Sequence, residues 1–142
     1  MATNNLYLDT SAYINILTKH PDYTALFKLC QNARLFSSSL LYTEAFRTLV
    51  RMAREKLIEP GEFKIMHERL NEDVHTFKML MPNEEICYSQ TMPSVSTPRS
   101  MDLMHLRTAL WVKTLIGNLQ FVSCDQRQLQ AAAELGLVTI GG

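Results

Sequence analysis

Cysteine is scarce in this sequence, and its arrangement excludes two classes of protein. The 142 residues include only Cys30, Cys87 and Cys124, which are odd in number, widely spaced and without a C-x-x-C pair. Such an arrangement supports neither a disulfide framework nor a thiolate metal site. We therefore expect reduced, mostly buried thiols in a protein that resides in the cytoplasm.

The sequence also lacks a net charge and a long hydrophobic run. Its 14 basic residues are matched by 14 acidic residues, so any nucleic-acid binding must use local patches rather than a global basic field. No stretch approaches the roughly 20 apolar residues of a membrane span. Residues 1–5 lack the charged start and apolar run of a signal peptide. With 46% hydrophobic residues, the chain is expected to fold as a single domain over residues 1–142, with no membrane association.

What the sequence does contain is an alternation of short apolar runs and helical stripes. Runs predicted to form strands lie at residues 6–8, 35–37, 85–88, 119–124 and 137–140. Strands that alternate with helices imply a mostly parallel sheet covered by helices on both faces. The predicted fold class is therefore α/β.

Helical periodicity predicts two long neighbouring helices that form a hairpin. Apolar positions from Ala45 to Leu57 define one stripe, and those from Phe63 to Met81 define the next, with a break at Pro60-Gly61. A further helix is expected from about Asp102 to Gly117. Helix caps are predicted at Thr10-Ser11 and at Asp22, and a loop is predicted over residues 89–100.

Four carboxylates, Asp9, Glu44, Asp102 and Asp125, each fall where a predicted strand ends or a predicted helix begins. In a parallel α/β sheet those places converge on one rim. Four acids on one rim repel one another unless a cation lies among them, and oxygen ligands suit Mg²⁺ or Mn²⁺. The pattern therefore indicates metal-assisted hydrolysis of a phosphodiester. Taken singly, Asp9 and Asp125 are also interpreted as helix caps, and Glu44 and Asp102 as acids that suit a helix dipole.

Four segments, by their order and spacing along the chain, are similar to those of a known family. They are Tyr-Leu-Asp-Thr-Ser at 7–11, Leu-Tyr-Thr-Glu at 41–44, Ser-Met-Asp-Leu-Met-His-Leu at 100–106, and Val-Ser-Cys-Asp at 122–125. Over nearly its whole length the chain resembles the PIN-domain nucleases, most closely the VapC-type toxin ribonucleases. The resemblance implies a three-layer α/β/α PIN-like fold. It also implies a metal-dependent endoribonuclease that is the toxin of a toxin–antitoxin pair.

The resemblance assigns roles to individual residues. The family's catalytic acidic quartet, which holds one or two Mg²⁺ or Mn²⁺ ions, is matched by Asp9, Glu44, Asp102 and Asp125. Ser11 matches a hydroxyl residue that supports the first acid, and Ser123 is expected to act similarly near the last. We expect Asp9 and Asp102 to be the principal ligands, with Asp125 as a further ligand and Glu44 binding a second ion or orienting water. Family members act on RNA, usually pair with a small antitoxin protein, and often form homodimers.

Basic residues near the acids are candidates for contact with RNA. Arg47 and Arg51, with Arg54 at the same helical spacing, form a stripe on the helix that begins near Glu44, and Arg99 lies shortly before Asp102. The stripe would contact RNA phosphates, meet an acidic partner, or remain a solvated face. His105, one turn after Asp102, is interpreted either as a packed or hydrogen-bonded histidine or as a metal ligand.

Other functions are compatible with the same residues. A DNA nuclease or an RNA-maturation nuclease of this fold would use the same metal chemistry, and an inactive PIN-like interaction module would keep the fold and bind a partner. Two further classes with acids at strand ends fit less well. A receiver-type signalling domain needs an acidic pair near the first strand and a lysine after a late strand, and the sequence has neither feature. A dehalogenase-type phosphatase needs Asp-x-Asp, whereas residue 11 is serine.

Overall fold

The computed structural model describes residues 4–21, 23–88, 95–96 and 99–141 of the chain. Over these residues the predicted α/β class is confirmed, as five strands and seven helices in three α/β/α layers. The strands are β1 (Asn4–Leu8), β2 (Ala33–Ser38), β3 (Lys78–Leu80), β4 (Gln120–Ser123) and β5 (Val138–Gly141). The helices are α1 (Thr10–Leu17), α2 (Tyr23–Gln31), α3 (Leu40–Arg54), α4 (Pro60–Asp73), α5 (Glu84–Cys87), α6 (Ser100–Ile116) and α7 (Gln126–Glu134).

The sheet is parallel throughout, and its strand order decides where functional side chains can meet. The order is β3-β2-β1-β4-β5, so the chain builds outward from β1 on one side and then crosses to the other side with β4. The register pairs Leu6 with Gln120 and Leu8 with Val122, and the amide of Asp9 donates to the carbonyl of Val122 at 3.2 Å. The strand order reverses between β1 and β4, which is where open α/β sheets bind ligands at their carboxyl edge.

The buried strand β1 explains the layered arrangement. Successive side chains of a strand point to opposite faces of the sheet. Tyr7 packs with Phe121 and the residues of α6 and α7 on one face, whereas Leu6 and Leu8 pack with α1 and α2 on the other. The last three residues of β1, Leu6, Tyr7 and Leu8, are fully buried, which explains why they form a continuous apolar run in the sequence.

The predicted helical hairpin is confirmed as α3 and α4. Leu49 and Leu70 are completely buried in the same cluster, and the Tyr42 hydroxyl donates to Asn71 Oδ1 at 2.7 Å. The Pro60-Gly61 dipeptide is the start of the second helix. Proline suits the first helical position, and Glu59 together with Glu62 forms a capping box there.

The predicted end of the second hairpin helix is wrong. The apolar stripe from Phe63 to Met81 was expected to be one helix, but α4 ends at Asp73. The amide of Thr76 donates to the carbonyl of Asp73, which closes a turn, and the chain then forms β3. Phe77 joins the core from this turn, whereas Met81 is 75% exposed.

The predicted third strand at residues 85–88 is also wrong, because this segment forms the short helix α5. Asn83 caps it by accepting a hydrogen bond from the amide of Ile86 at 2.9 Å. Ile86 alone is buried, so the segment lacks the alternating burial of a strand. The third strand is β3, which pairs with β2 at the edge of the sheet.

The remaining expectations have mixed outcomes. The predicted cap at Asp22 and most of the predicted loop at 89–100 lie outside the described residues. No disulfide joins the three cysteines, but Cys87 is exposed, so the expectation of mostly buried thiols is wrong there. Burial raises the pKa of the Cys30 thiol to about 11. Over the described part of the chain, none of the helices combines the length and apolar character needed to cross a bilayer.

Gly117 ends α6 and turns the chain toward β4, and its backbone conformation gives a direct test of this boundary. It adopts φ +81°, whereas Gly61 lies inside α4, and at neither position would an added Cβ meet another atom within 4 Å. Gly117→Ala should lower the free energy of unfolding by about 1–2 kcal/mol through backbone strain. Gly61→Ala should raise it by about 0.4–1 kcal/mol, because alanine restricts the unfolded chain. Urea denaturation of both variants measures the difference, and equal effects of the two would contradict this account.

Candidate active site

The four predicted acids line one open depression at the carboxyl edge of the sheet. Each is delivered by a different element: Asp9 follows β1, Glu44 lies on α3, Asp102 is in the first turn of α6, and Asp125 caps α7. Arg99 and His105 border the same depression. Residues separated by up to 116 positions in the sequence are thus neighbours, as the convergence argument predicted.

Asp9 is the most buried of the four acids and the most heavily hydrogen-bonded. Its Oδ1 accepts bonds from the Ser11 hydroxyl at 2.7 Å and from the Ala12 amide at 3.1 Å, and its Oδ2 accepts one from the Ser123 hydroxyl at 2.5 Å. The bond from Ala12 makes Asp9 the cap of α1, so the predicted cap at Thr10-Ser11 is wrong by one residue. Burial raises the pKa of Asp9, although the bonds from Ser123, Ser11 and Ala12 oppose the shift.

The two predicted supporting serines also join the first and fourth strands. The Ser11 and Ser123 hydroxyl oxygens lie 3.2 Å apart, and Ser11 Oγ accepts a bond from the Cys124 amide at 3.0 Å. Ser123 Oγ likewise accepts from the Asp125 amide at 3.0 Å. Both serines therefore shape the turn that places Asp125, besides holding Asp9.

The interpretation of Asp125 as a helix cap, which the sequence also allowed, is confirmed. Its Oδ1 accepts a hydrogen bond from the Arg127 amide at 2.9 Å and caps α7. Its other oxygen accepts no bond from the described residues. A cap occupies one carboxylate oxygen and leaves the second for another ligand. The structural role of Asp125 is therefore compatible with a role in the depression.

Glu44 is held by two side chains through a single oxygen. Its Oε1 accepts bonds from His105 Nε2 and from the Thr10 hydroxyl, both at 2.8 Å. Burial alone would raise the pKa of Glu44, but the hydrogen bond from His105, the electrostatic attraction of its imidazole and the bond from Thr10 lower this pKa below the ordinary value. His105 is 1% exposed, so the structure favours the packed, hydrogen-bonded interpretation of this histidine.

Asp102 differs from the other three acids because no described side chain or amide donates to its carboxylate. Burial raises its pKa, and the negative charges of Asp125, Asp9 and Glu44 add to this shift, while Arg99 opposes it. The four carboxylates therefore interact electrostatically across the depression.

Gln128 is a residue of the site that the sequence did not reveal. Its side chain is almost completely buried, and its Nε2 donates to the backbone carbonyl of Asp102 at 2.8 Å. Its Oε1 is buried without a partner among the described residues. The only sequence signal is its position one turn after Asp125, which places both residues on the same side of α7.

The arginines named as possible RNA contacts fall into two places. Arg99 borders the acidic depression, and its charge lowers the pKa of Asp102. Arg47 and Arg51 line a separate shallow hollow on the outer side of α3, together with Arg54. Arg51 also forms an exposed ion pair with Glu55 at 3.0 Å.

The donor set can be compared with the needs of a divalent cation. Within residues 4–21, 23–88, 95–96 and 99–141, no group of three or more His, Cys, Asp or Glu side chains is positioned to hold a metal ion. The chemistry of the donors nevertheless fits Mg²⁺ or Mn²⁺, which prefer oxygen ligands. Carboxylates that raise the pKa of Asp102 by repulsion would be stabilised by a cation among them.

Comparison of the chain with protein-family models and with curated proteins finds no match. A functional assignment therefore depends on the residues of the chain and their geometry.

The raised pKa values predict how stability depends on pH in the absence of metal. Between the pKa values of the unfolded and folded states, Asp9 and Asp102 are protonated in the folded chain and ionised in the unfolded chain. The two acids therefore stabilise the folded state below about pH 4, and this stabilisation is lost as the pH rises through their raised pKa values. In EDTA, Asp102→Asn removes one of the repelling charges. The variant should therefore melt at a higher temperature than the wild type at neutral pH, and the difference should shrink at low pH.

Glu68→Gln, which neutralises an exposed carboxylate on α4, is the matched control and should show no such dependence. Melting curves by circular dichroism across the pH range measure the effect. A wild type as stable as Asp102→Asn at neutral pH in EDTA would contradict the repulsion.

Proposed function

We propose that this chain is a Mg²⁺- or Mn²⁺-dependent endoribonuclease that hydrolyses phosphodiester bonds in RNA. The main support is the meeting of Asp9, Glu44, Asp102 and Asp125, from four separate segments, around one open depression. The raised pKa of Asp102, caused by burial and then by its acidic neighbours, supports the same proposal. A set of acids of this kind is costly to a folded chain unless a cation offsets it.

The residues divide the work as follows. Asp9 and Asp102 would hold the cation as principal ligands, and Asp125 would contribute directly or through a water molecule. A cation bound there would neutralise phosphate charge and lower the pKa of a water molecule. Glu44, whose lowered pKa keeps it ionised, would bind a second ion or orient the attacking water. Ser11 and Ser123 hold the Asp9 carboxylate in place by donating to both of its oxygens.

Attack by water leaves a characteristic product. The water would attack phosphorus and the 3′-oxygen would leave, so the products carry 5′-phosphate and 3′-hydroxyl ends and the RNA 2′-hydroxyl is not used. A nuclease that activates the 2′-hydroxyl needs a general base, most often a histidine, that can exchange protons with the substrate. His105 is 1% exposed and is bonded to Tyr7 and Glu44, which makes it unsuited to that task.

The resemblance to VapC-type toxins extends the proposal to partners. The chain would be neutralised by a small antitoxin protein that covers the acidic depression, with an arginine of the antitoxin paired to the quartet in place of the cation. A homodimer would bring two such depressions near each other.

Loss of single acids tests the proposed chemistry. In Mn²⁺ or Mg²⁺, the wild type should cut total RNA at discrete positions and leave 5′-phosphates. Asp9→Asn and Asp102→Asn should each lower the rate by more than about 100-fold, since they remove direct ligands rather than supporting groups. Sequencing of the product ends measures both position and chemistry.

Asp73→Asn provides the matched control, because Asp73 is a partly buried acid on α4 that accepts a bond from Tyr13 away from the depression. This variant should keep wild-type cleavage. Full activity in both Asp9→Asn and Asp102→Asn would exclude the metal assignment. Cleavage of single-stranded DNA in preference to RNA would indicate a DNA nuclease, and metal binding without cleavage of either would favour an interaction module.

The arginines of α3 are proposed to contact the RNA backbone beyond the cleavage position. Glu44 and Arg51 lie seven residues apart on α3, two helical turns and about 10 Å along its axis, so the helix leads from the depression to the hollow of Arg47 and Arg51. Guanidinium groups bind phosphates without reading sequence. A strand bound at the depression can therefore extend along this helix.

Salt dependence of binding tests these contacts. The combined change Arg47→Gln and Arg51→Gln, made in the inactive Asp102→Asn background, should weaken RNA binding and reduce the slope of log Kd against log salt by roughly 1.4, about 0.7 per phosphate contact. Lys64→Gln, which removes one exposed positive charge on α4, is the control and should leave the slope unchanged. An unchanged slope in the double variant would mean that the stripe is a solvated face.

A further inference from the structure

A buried line of hydrogen bonds leads from the central strand to the acidic depression. The hydroxyl of Tyr7, on β1, lies 2.8 Å from His105 Nδ1, and His105 Nε2 lies 2.8 Å from Glu44 Oε1. Thr10 donates its hydroxyl to the same Glu44 oxygen at 2.8 Å. Tyr7 is completely buried and His105 almost so, whereas Glu44 reaches the open depression.

The hydrogen-bond partners of His105 determine which of its ring nitrogens carries the hydrogen. A carboxylate oxygen only accepts, so the hydrogen of the His105–Glu44 bond belongs to His105 Nε2. With that hydrogen on Nε2, the Nδ1 of a neutral imidazole is an acceptor, so the Tyr7 hydroxyl, 2.8 Å away, donates to it. The tyrosine thereby selects the histidine form that donates to Glu44. This selection matters because a histidine with its hydrogen on Nδ1 would leave Glu44 without that donor.

Packing alone does not account for these two polar side chains. The Tyr7 ring stacks on Phe121 with centroids 5.5 Å apart and meets His105 edge-on, and a phenylalanine would make the same ring contacts. A hydroxyl and an imidazole buried in an apolar cluster cost free energy unless they are hydrogen-bonded. Tyr7 also lies close to Ser37 and Thr108, but His105 is the link that reaches an acid of the depression.

We propose that Tyr7 and His105 are positioning residues that fix Oε1 of Glu44 and thereby direct Oε2 toward the cation or the attacking water. The inference rests on the proposed function, since it states how one of the four acids is presented. Both residues are at most 1% exposed. Both act through Glu44, as hydrogen-bonded outer partners do for ligands in metal sites.

Binding of Mn²⁺ by calorimetry tests the inference without relying on cleavage. Tyr7→Phe and His105→Leu should each weaken Mn²⁺ binding by about 10–100-fold, the usual effect of losing an outer partner. His105→Gln should recover part of the loss, because its amide can donate to Glu44. The matched control is Tyr13→Phe. It removes another buried tyrosine hydroxyl, one that donates to Asp73 at 2.7 Å away from the depression, and should leave Mn²⁺ binding unchanged.

A second measurement uses the metal-free protein and shows whether the variants act through the histidine. In ¹H–¹⁵N spectra of the imidazole, the wild type should carry its hydrogen on Nε2 of His105, and Tyr7→Phe should show a mixture of both forms. A hydrogen on Nδ1 in the wild type would overturn the proposal. So would Mn²⁺ affinities of Tyr7→Phe and His105→Leu equal to that of Tyr13→Phe.

The two proposals can fail separately. Wild-type protein that binds Mn²⁺ with the expected differences among variants, yet cuts no nucleic acid, would overturn the proposed nuclease and support the positioning role. Wild-type protein that cuts RNA while the variants bind Mn²⁺ normally would support the nuclease and overturn the positioning role. Absence of any Mn²⁺ binding by the wild type would overturn both.

Discussion

The hydrogen bonds to the Asp9 carboxylate hold together the part of the molecule on which the site depends. One oxygen caps α1 through the Ala12 amide, and the other binds the Ser123 hydroxyl at the end of β4. The same group thus links the central strand to the helix that follows it and to the neighbouring strand across the switch in strand order. A buried carboxylate is stable only with donors of this kind. The site and the fold therefore share one interaction, and a change at Asp9 affects both.

Backbone and side chains contribute differently to the acidic depression. The parallel sheet brings the ends of β1 and β4 to one edge, and α3 and α6 begin at that edge, so the backbone alone makes the acids neighbours. Their orientation comes from side-chain donors that are specific to each acid. Asp9, Glu44 and Asp125 each have donors, whereas no described residue donates to the Asp102 carboxylate, and Gln128 donates to its backbone carbonyl instead. Asp102 is also the acid whose pKa is raised by burial and then by its acidic neighbours.

Much of this arrangement could be predicted because the relevant signals are local. An apolar run followed by Asp predicts both a strand end and an acid at the edge of the sheet, which is why Asp9 and Asp125 were found. The edge strand β3 was missed because three residues are too few to show alternation, and the Asn83 cap of α5 was overlooked beside it. The partners of His105 could not be predicted, since Tyr7 is 98 residues away and only packing brings the two together. Gln128 was missed for the same reason, because its contact is to a backbone atom 26 residues distant.

The distance in sequence between Asp9 and Ser123 has a consequence for synthesis of the chain. The two are 114 positions apart, so β1 cannot pair with β4 until the whole segment between them has been made. Until then the Asp9 carboxylate lacks the Ser123 donor, and Asp125 is not yet present beside it. Contacts this far apart in sequence form late and slowly. A nascent chain that lacks β4 therefore carries Asp9, Glu44 and Asp102 at an incomplete edge, and the cluster becomes complete only after Asp125 has been made.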